Sequence, residues 1–229
     1  MPTPSSRRPR DWLLTARQTI PRLRSVLSEL EPTFHLDDVR SIDADFLSRH
    51  GIQGLIWDVD GTLTNYHAMD IADVLRRHVE GLFASTNLRH AILSNCDERR
   101  FEELKIIFRD IPLIRAYRSD NGLVYRTALA QQDSHSEAQI TALLAEGAQQ
   151  IRKPSRELIE HATNVLNLAP DKCVMIGDQY FTDVASANLA GIRSIKVKTF
   201  GKKTFPRSLQ TTQRLELVIF RLLNGKPRR

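Results

Sequence analysis

The chain contains few cysteines and no long apolar run. Its two cysteines, Cys96 and Cys173, are too few for a disulfide framework, so we expect reduced thiols and an intracellular protein. The seven histidines are scattered, without an HxxxH or Cys/His cluster, which argues against a structural zinc site. No stretch approaches the ~20 consecutive apolar residues that a transmembrane helix needs.

The charged residues are ordinary in number but uneven in distribution. They make up 26% of the 229 residues, beside 41% hydrophobic residues, as in a soluble globular domain. The net charge is +6, and most of the excess lies at the two ends. Basic ends can contact nucleic acid, anionic lipid or only solvent. Aromatic residues interleaved with basic ones are sparse, which argues against nucleic acid as a partner.

Residues 1–30 form a basic amphipathic N-terminal segment that precedes the main domain at 31–229. Apolar residues recur there at helical spacing, while Arg17 and Arg24 lie off the apolar stripe. The pattern is typical of an interfacial membrane helix, of a targeting presequence, and of a helix that packs on its own domain. All three interpretations stay open.

Short apolar runs alternate with helical periodicity through the main domain. This alternation predicts an α/β fold of Rossmann-like type, in which helices cover both faces of a parallel sheet in three layers. No large cap is predicted. We interpret residues 118–150 as a small insertion, either a lid or a surface excursion. The predicted strands are 53–58, 90–95, 111–117, 173–178 and 192–197, and the predicted helices are 70–84, 99–108, 137–149, 155–166, 183–189 and 209–223.

The first core strand ends in two carboxylates, Asp58 and Asp60, followed by Gly61. Buried carboxylates are costly unless they are paired, protonated or bound to a metal, so this strand end predicts a site. Gly61 permits a sharp exit from the strand and a close approach of a ligand to the backbone. A nucleophilic carboxylate beside an acid/base carboxylate and a divalent cation fits this pattern. The alternative is a turn with solvated aspartates.

Polar residues also follow other predicted strands. Ser94 and Asn95 end the second strand, and Asp178 ends the fourth. In open parallel sheets, ligands bind beyond the carboxyl ends of the strands. We therefore expect these side chains to converge with Asp58 and Asp60 in one crevice.

Four segments, taken in order, resemble the motifs of the haloacid dehalogenase superfamily of aspartate-nucleophile phosphatases. The matching segments are Asp58-Val59-Asp60-Gly61-Thr62, Ser94-Asn95, Lys153-Pro154 and Gly177-Asp178-Gln179-Tyr180-Phe181-Thr182-Asp183. The resemblance implies that Asp58 attacks phosphorus and forms an aspartyl-phosphate. Asp60 would protonate the leaving oxygen and then activate water. Lys153 would neutralise charge on the nucleophile and the phosphoryl group.

The same resemblance implies a cofactor and a phosphate site. Mg²⁺ suits the oxygen-rich residue set. The implied metal ligands are the side chain of Asp58, the backbone carbonyl of Asp60, Asp178, and Asp183 either directly or through water. The implied phosphate-binding residues are Ser94, Asn95, Gly61, Thr62 and Lys153.

A narrower resemblance runs from about Leu30 to Val197. It is to the YqeG-type subfamily, class IIIA of the superfamily, which includes phosphatidylglycerophosphate phosphatases of mitochondria, plastids and some bacteria. The matching segments are Leu30-Glu31-Pro32, Gly51-Ile52-Gln53-Gly54-Leu55-Ile56, Arg152-Lys153-Pro154 and several positions between Gly177 and Gly191. This resemblance implies an anionic lipid phosphate as the substrate and an anionic membrane surface as a partner.

Three functions therefore stay open. The first is a Mg²⁺-dependent lipid phosphatase, cytoplasmic and peripheral to the inner membrane or in the mitochondrial matrix. The second is a soluble phosphatase that uses the same site on sugar or nucleotide phosphates. The third is a catalytically idle membrane- or nucleic-acid-binding adaptor, against which the intact motifs argue. We make no prediction of the oligomeric state.

Overall fold

The computed structural model describes residues 26–130 and 132–224. Its strands are β1 (Phe34–His35), β2 (Gly54–Trp57), β3 (Arg89–Leu93), β4 (Leu113–Ser119), β5 (Gly122–Leu129), β6 (Gln132–Asp133), β7 (Gln149–Ile151), β8 (Cys173–Gly177) and β9 (Arg193–Lys196). Its α-helices are α1 (Ala44–Arg49), α2 (Asp73–Phe83), α3 (Glu98–Ile107), α4 (Glu137–Ala145), α5 (Arg156–Leu166), α6 (Ala185–Leu189) and α7 (Arg207–Asn224). Short turns of 3₁₀-helix span Val39–Ser41, Pro170–Lys172 and Lys202–Thr204, and a π-helical turn spans Tyr180–Val184.

The centre of the fold is a parallel sheet with the strand order β1-β9-β8-β2-β3-β4. Successive side chains of a strand point to opposite faces. Leu55 and Trp57 of β2 accordingly pack toward α2 and α3, whereas Ile56 packs toward α5 and α6. The predicted three-layer α/β fold is therefore confirmed, and the five predicted strands agree with the observed ones to within two residues at each end.

Antiparallel strands extend one edge of this sheet, and the sequence did not reveal them. β5 pairs with the whole length of β4, and β6 pairs in turn with the end of β5. β7 returns antiparallel to β4 on the other side of β4, beyond the two residue pairs that join β3 to β4. Residues 118–150 thus contain β5, β6, α4 and β7. The helix predicted over 137–149 ends at Ala145. A lid role for this segment stays a prediction.

Two buried arginines attach the hairpin to α3. The guanidinium groups of Arg115 and Arg126 lie 4.7 and 4.5 Å from the centroid of the Phe101 ring. Both arginines form ion pairs with Glu98, at 2.5 and 3.2 Å, and Arg126 also pairs with Glu102 at 2.6 Å. Removing one partner from such a buried network leaves an uncompensated charge, so the network holds the hairpin in one position.

The end of the N-terminal segment packs on its own domain. Val26 and Leu30 are fully buried against Tyr180, Val184 and Phe220. This contact agrees with the packing interpretation for residues 26–30. Residues 1–25, which include Arg17 and Arg24, are outside the described residues. Within residues 26–130 and 132–224, no helix is both long and apolar enough to cross a bilayer.

His90, a buried residue of β3, makes the stability of the fold depend on pH. The indole N–H of Trp57 donates to Nδ1 of His90 at 3.1 Å, and Nε2 of His90 lies 3.0 Å from the carbonyl oxygen of Leu82. These contacts fix a neutral ring that carries its proton on Nε2. Burial lowers the pKa of His90 to about 4. The unfolded chain therefore binds a proton more readily than the folded one below about pH 6.5.

Stability is consequently expected to fall as the pH drops from about 6.5 toward 4, since the folded pKa is the lower one. Between pH 7.5 and pH 5.0 this one group should account for about 2 kcal/mol of the free energy of unfolding. Urea unfolding of the wild type and of His90→Gln at both pH values measures it. An equal pH dependence in the two proteins would contradict the assignment.

Candidate active site

Three carboxylates converge at the carboxyl ends of neighbouring strands. Asp58 follows β2 and Asp178 follows β8, while Asp183 lies in the π-helical turn after β8. Each offers one carboxylate oxygen, and these oxygens lie within 4.8 Å of one another. All three residues are buried. Ser94 directly follows β3, at the same edge of the sheet. The convergence expected from the strand ends is therefore observed for Asp58 and Asp178, while that of the Ser94 side chain stays a prediction.

Lys153 is the positive charge inside this carboxylate cluster. Its Nζ lies 2.7 Å from Oδ1 of Asp58 and 2.6 Å from Oδ1 of Asp183, and its side chain is 1% exposed. Asn95 holds the backbone of Lys153 on both sides. The Lys153 N–H donates to Oδ1 of Asn95 at 2.7 Å, and Nδ2 of Asn95 donates to the Lys153 carbonyl at 2.9 Å. Asn95 thus positions Lys153, and its phosphate contact stays a prediction.

Asp60 is two residues from Asp58, and its side chain is held by residues outside the carboxylate cluster. Its Oδ1 accepts hydrogen bonds from Nη2 of Arg100 at 3.1 Å, from the N–H of His67 at 2.9 Å and from the Thr64 hydroxyl at 3.3 Å. Arg100 is itself 1% exposed. These contacts fix the direction of the Asp60 carboxylate. The metal contact predicted for Asp60 involves its backbone carbonyl, and it stays a prediction.

Small residues make room for the cluster. Gly61 has φ +93°, and a Cβ there would lie 2.9 Å from Oδ2 of Asp178 and 2.8 Å from the Phe205 ring. A Cβ at Gly177 would overlap the Asp183 carboxylate. Larger residues at either position would therefore displace a carboxylate. The hydroxyl of Thr62 donates to Oδ2 of Asp58 at 3.3 Å. The phosphate contacts predicted for Ser94, Gly61 and Thr62 stay predictions.

Burial sets the protonation of the cluster. Desolvation raises the pKa of Asp58 to about 8, against the opposing charge of Lys153 and with the help of Asp183 and Asp178. Desolvation and Asp183 likewise raise the pKa of Asp178 to about 6. Burial alone would lower the pKa of Lys153, but Asp183 and Asp58 raise it above its ordinary value. Three carboxylates around one ammonium leave an excess of negative charge, which further positive charge would stabilise.

The cluster fits a divalent cation. Oδ1 of Asp178 is buried without a hydrogen-bond partner in the described part of the chain, whereas Oδ2 of Asp178 accepts from Nε2 of Gln213 at 3.2 Å. An orphaned buried carboxylate oxygen is costly unless a cation or water satisfies it. The candidate ligands are all oxygens, which hard cations prefer. Asp58, Asp178 and Asp183, three of the four predicted metal ligands, therefore form a candidate site for a divalent cation.

Sequence reasoning did not find two of the residues that hold the site. Arg100 lies on α3, 40 residues from the Asp60 that it contacts, and Gln213 lies on α7, 35 residues from Asp178. Neither belongs to a motif. The available signal for Arg100 was a charged residue beside Phe101 on the apolar face of a predicted helix, which a buried partner would explain.

Comparisons with known proteins agree with this geometry. A family model described as HAD-hydrolase-like matches residues 150–221, which include the third and fourth motifs. Phosphatidylglycerophosphate phosphatase 1, chloroplastic/mitochondrial, of Arabidopsis thaliana is 23% identical over 195 residues, which are 83% of this chain and 47% of that protein. N-acylneuraminate-9-phosphatase of Mus musculus is 26% identical over 113 residues, or 49% of this chain and 43% of that protein.

The chain thus spans less than half the length of these curated relatives. Among solved structures, an uncharacterized protein from Listeria monocytogenes serotype 4b is 20% identical with a TM-score of 0.40, over 63% of this chain and 78% of that one. The family match covers Lys153 and the fourth motif, whereas Asp58, with which Lys153 forms an ion pair, lies outside the matched residues. The chain is thus similar, over part of its length, to hydrolases and phosphatases of the haloacid dehalogenase type.

Proposed function

We propose that the protein is a Mg²⁺-dependent phosphomonoesterase that works through an aspartyl-phosphate on Asp58. The observation that carries this proposal is the contact of Asp58 with the buried Lys153, within a cluster of three carboxylates. A buried carboxylate held by an ammonium group beside a candidate cation site is suited to attack an anionic phosphoryl group. The intact cluster argues against a catalytically idle adaptor.

The reaction follows from the positions of the side chains. Lys153 and Thr62 hold the two oxygens of Asp58, so the carboxylate has one orientation when it attacks phosphorus. The bond from phosphorus to the leaving oxygen breaks, and Asp60 gives that oxygen a proton. Water then attacks the aspartyl-phosphate and gives its proton to Asp60, which releases phosphate and restores Asp58.

The cation and the surrounding residues each have one task in this scheme. When bound by Asp58, Asp178, Asp183 and the Asp60 carbonyl, Mg²⁺ would supply positive charge to the phosphoryl oxygens. Arg100 keeps the Asp60 carboxylate directed, since it is buried and bonded to Oδ1 of that residue. Lys153 offsets the negative charge that would otherwise repel the substrate dianion.

The proposed substrate is phosphatidylglycerophosphate or a related anionic lipid phosphate, reached from a membrane surface to which the protein binds peripherally. The resemblance to phosphatidylglycerophosphate phosphatases and the basic ends of the chain support it. Basic segments near an anionic membrane gain about 1 kcal/mol of attraction per Lys or Arg. A soluble sugar-phosphate substrate is the second candidate, favoured by the match to N-acylneuraminate-9-phosphatase.

Phosphate release with and without Mg²⁺ tests the proposal. We expect turnover of p-nitrophenyl phosphate with Mg²⁺ and its loss with EDTA, and faster turnover of phosphatidylglycerophosphate in vesicles than of hexose phosphates. Turnover of hexose phosphates without that of the lipid would overturn the lipid assignment. Failure to hydrolyse any of these phosphomonoesters would overturn the phosphatase proposal itself.

A further inference from the structure

A polar cavity of about 1110 Å³ adjoins the carboxylate cluster. Asp178 belongs to its wall, and the rest of the wall comes from β1 and the segment after it, from the π-helical turn, from β9 and the loop that follows it, and from α7. A cavity of this volume can hold an organic group of metabolite size. Since Asp178 borders it, a substrate whose phosphate reaches Asp58 can place its remaining atoms there.

Three buried polar atoms in the cavity wall lack hydrogen-bond partners within the described residues. They are Nδ1 of His35, the hydroxyl of Tyr180 and Oε1 of Gln213. Gln213 cannot easily turn away, because its Nε2 donates to Oδ2 of Asp178 at 3.2 Å. Buried polar atoms are normally satisfied, so this wall is built for contact with water or with a hydrogen-bonding ligand. Hydroxyl groups, which both donate and accept, match this set.

Two cations of the wall have no ionic partner among residues 26–130 and 132–224. Lys202 and Arg221 lie on different elements, are exposed, and form no ion pair in the part of the chain that the structure describes. The other two lysines of the wall are compensated. Lys198 pairs with Asp37 at 2.9 Å, and Lys196 is buried and attracted by nearby carboxylates. Lys202 and Arg221 are therefore available to an anion from outside.

We propose that this cavity binds the non-reacting part of the substrate, and that this part carries hydroxyl groups and a second anionic group. Lys202 and Arg221 contact the second anion, while Tyr180, Gln213 and His35 contact the hydroxyls. The inference rests on the proposed phosphatase function and specifies its substrate class. Both a soluble sugar acid phosphate and a lipid headgroup with a phosphodiester have this chemistry.

Two matched substrate pairs test the proposal and separate the two sources. 6-Phosphogluconate and sorbitol 6-phosphate differ only in a carboxylate against a hydroxymethyl group. Phosphatidylglycerophosphate and phosphatidic acid, each in phosphatidylcholine vesicles, differ in the phosphodiester and glycerol. The wild type is expected to prefer the member with the second anion by about tenfold in kcat/KM, as one charge-assisted hydrogen bond allows. The pair that shows the preference identifies the source, and no preference in either pair overturns the inference.

Single substitutions test which cavity residues produce the preference for a substrate with a second anion. Lys202→Gln and Arg221→Gln should each reduce the tenfold preference by about threefold, because the two residues share it, whereas their exposed neighbours outside the cavity, Lys203→Gln and Arg214→Gln, should leave it unchanged. Equal losses on both members of a pair, or an unchanged preference in both cavity variants, would overturn the inference. If the inference is overturned but the wild type hydrolyses p-nitrophenyl phosphate, the phosphatase proposal stands. If the wild type does not hydrolyse p-nitrophenyl phosphate, the phosphatase proposal itself has failed.

Discussion

Replacing Asp58 by asparagine is expected to lower kcat by roughly 10⁴-fold or more while the protein stays folded. An amide is a poor nucleophile and cannot form the aspartyl-phosphate. It has nearly the same shape as the carboxylate, and its carbonyl oxygen can still accept from Nζ of Lys153, now 2.7 Å from Oδ1. Hydrolysis of p-nitrophenyl phosphate with Mg²⁺ measures the loss of activity.

In EDTA above neutral pH, the free energy of unfolding of Asp58→Asn should be at least as large as that of the wild type. Burial raises the pKa of Asp58 to about 8, so keeping this group ionised in the fold is costly, and a neutral amide removes that cost. Asp120→Asn, in the exposed turn between β4 and β5, is the matched control and should retain full activity. Undiminished activity of Asp58→Asn would refute Asp58 as the nucleophile, and absence of activity in the wild type would favour the adaptor.

Replacing Lys153 by methionine is expected to destabilise the protein by about 3–5 kcal/mol in EDTA, because it leaves a buried, unpaired carboxylate cluster. Nζ of Lys153 is the partner of both Asp58 and Asp183, and both are buried. Activity should also fall steeply, since the charge that faces the phosphoryl group is lost. Mg²⁺ should restore part of the stability by binding the same carboxylates. Urea unfolding with EDTA or Mg²⁺ measures both effects.

Lys105→Met is the control for this experiment. Lys105 also bridges two carboxylates, Glu102 and Asp133, at 2.9 Å each, but its side chain is 25% exposed. A solvated ion pair contributes little, so the loss should be less than about 1 kcal/mol and insensitive to Mg²⁺. Similar losses in the two variants would show that burial of the cluster does not have the predicted effect.

The sequence predicted the site best where the functional residues lie at the carboxyl ends of strands. Parallel strands deliver their carboxyl ends to the same edge of a sheet, so apolar runs ending in Asp58, Ser94 and Asp178 predicted a common crevice. The order of the motifs also predicted that Lys153 would reach this crevice, which its contact with Asp58 now shows. Helical periodicity located helices such as α2 and α5, because their buried residues recur on one face.

Contacts between distant residues were beyond such local patterns. Arg100 and Gln213 occupy ordinary helical positions, and only the packing of α3 and α7 brings them to Asp60 and Asp178. The hairpin was missed because its strands are stabilised by pairing with β4 and by the ionic network around Phe101 rather than by a strong apolar alternation. Tertiary context, which a window of sequence does not contain, decided these features.

The pairing of β7 with β4 makes the position of Lys153 independent of the length of the insertion. Ala116, Tyr117 and Arg118 pair with Ile151, Gln150 and Gln149, and Lys153 follows two residues after this register is set. Lys153 is therefore anchored by the pairing of β7 with β4, whatever lies between Ser119 and Gln149. A change of length between β5 and β7 that keeps this pairing is therefore expected to leave the Lys153 ammonium group in place.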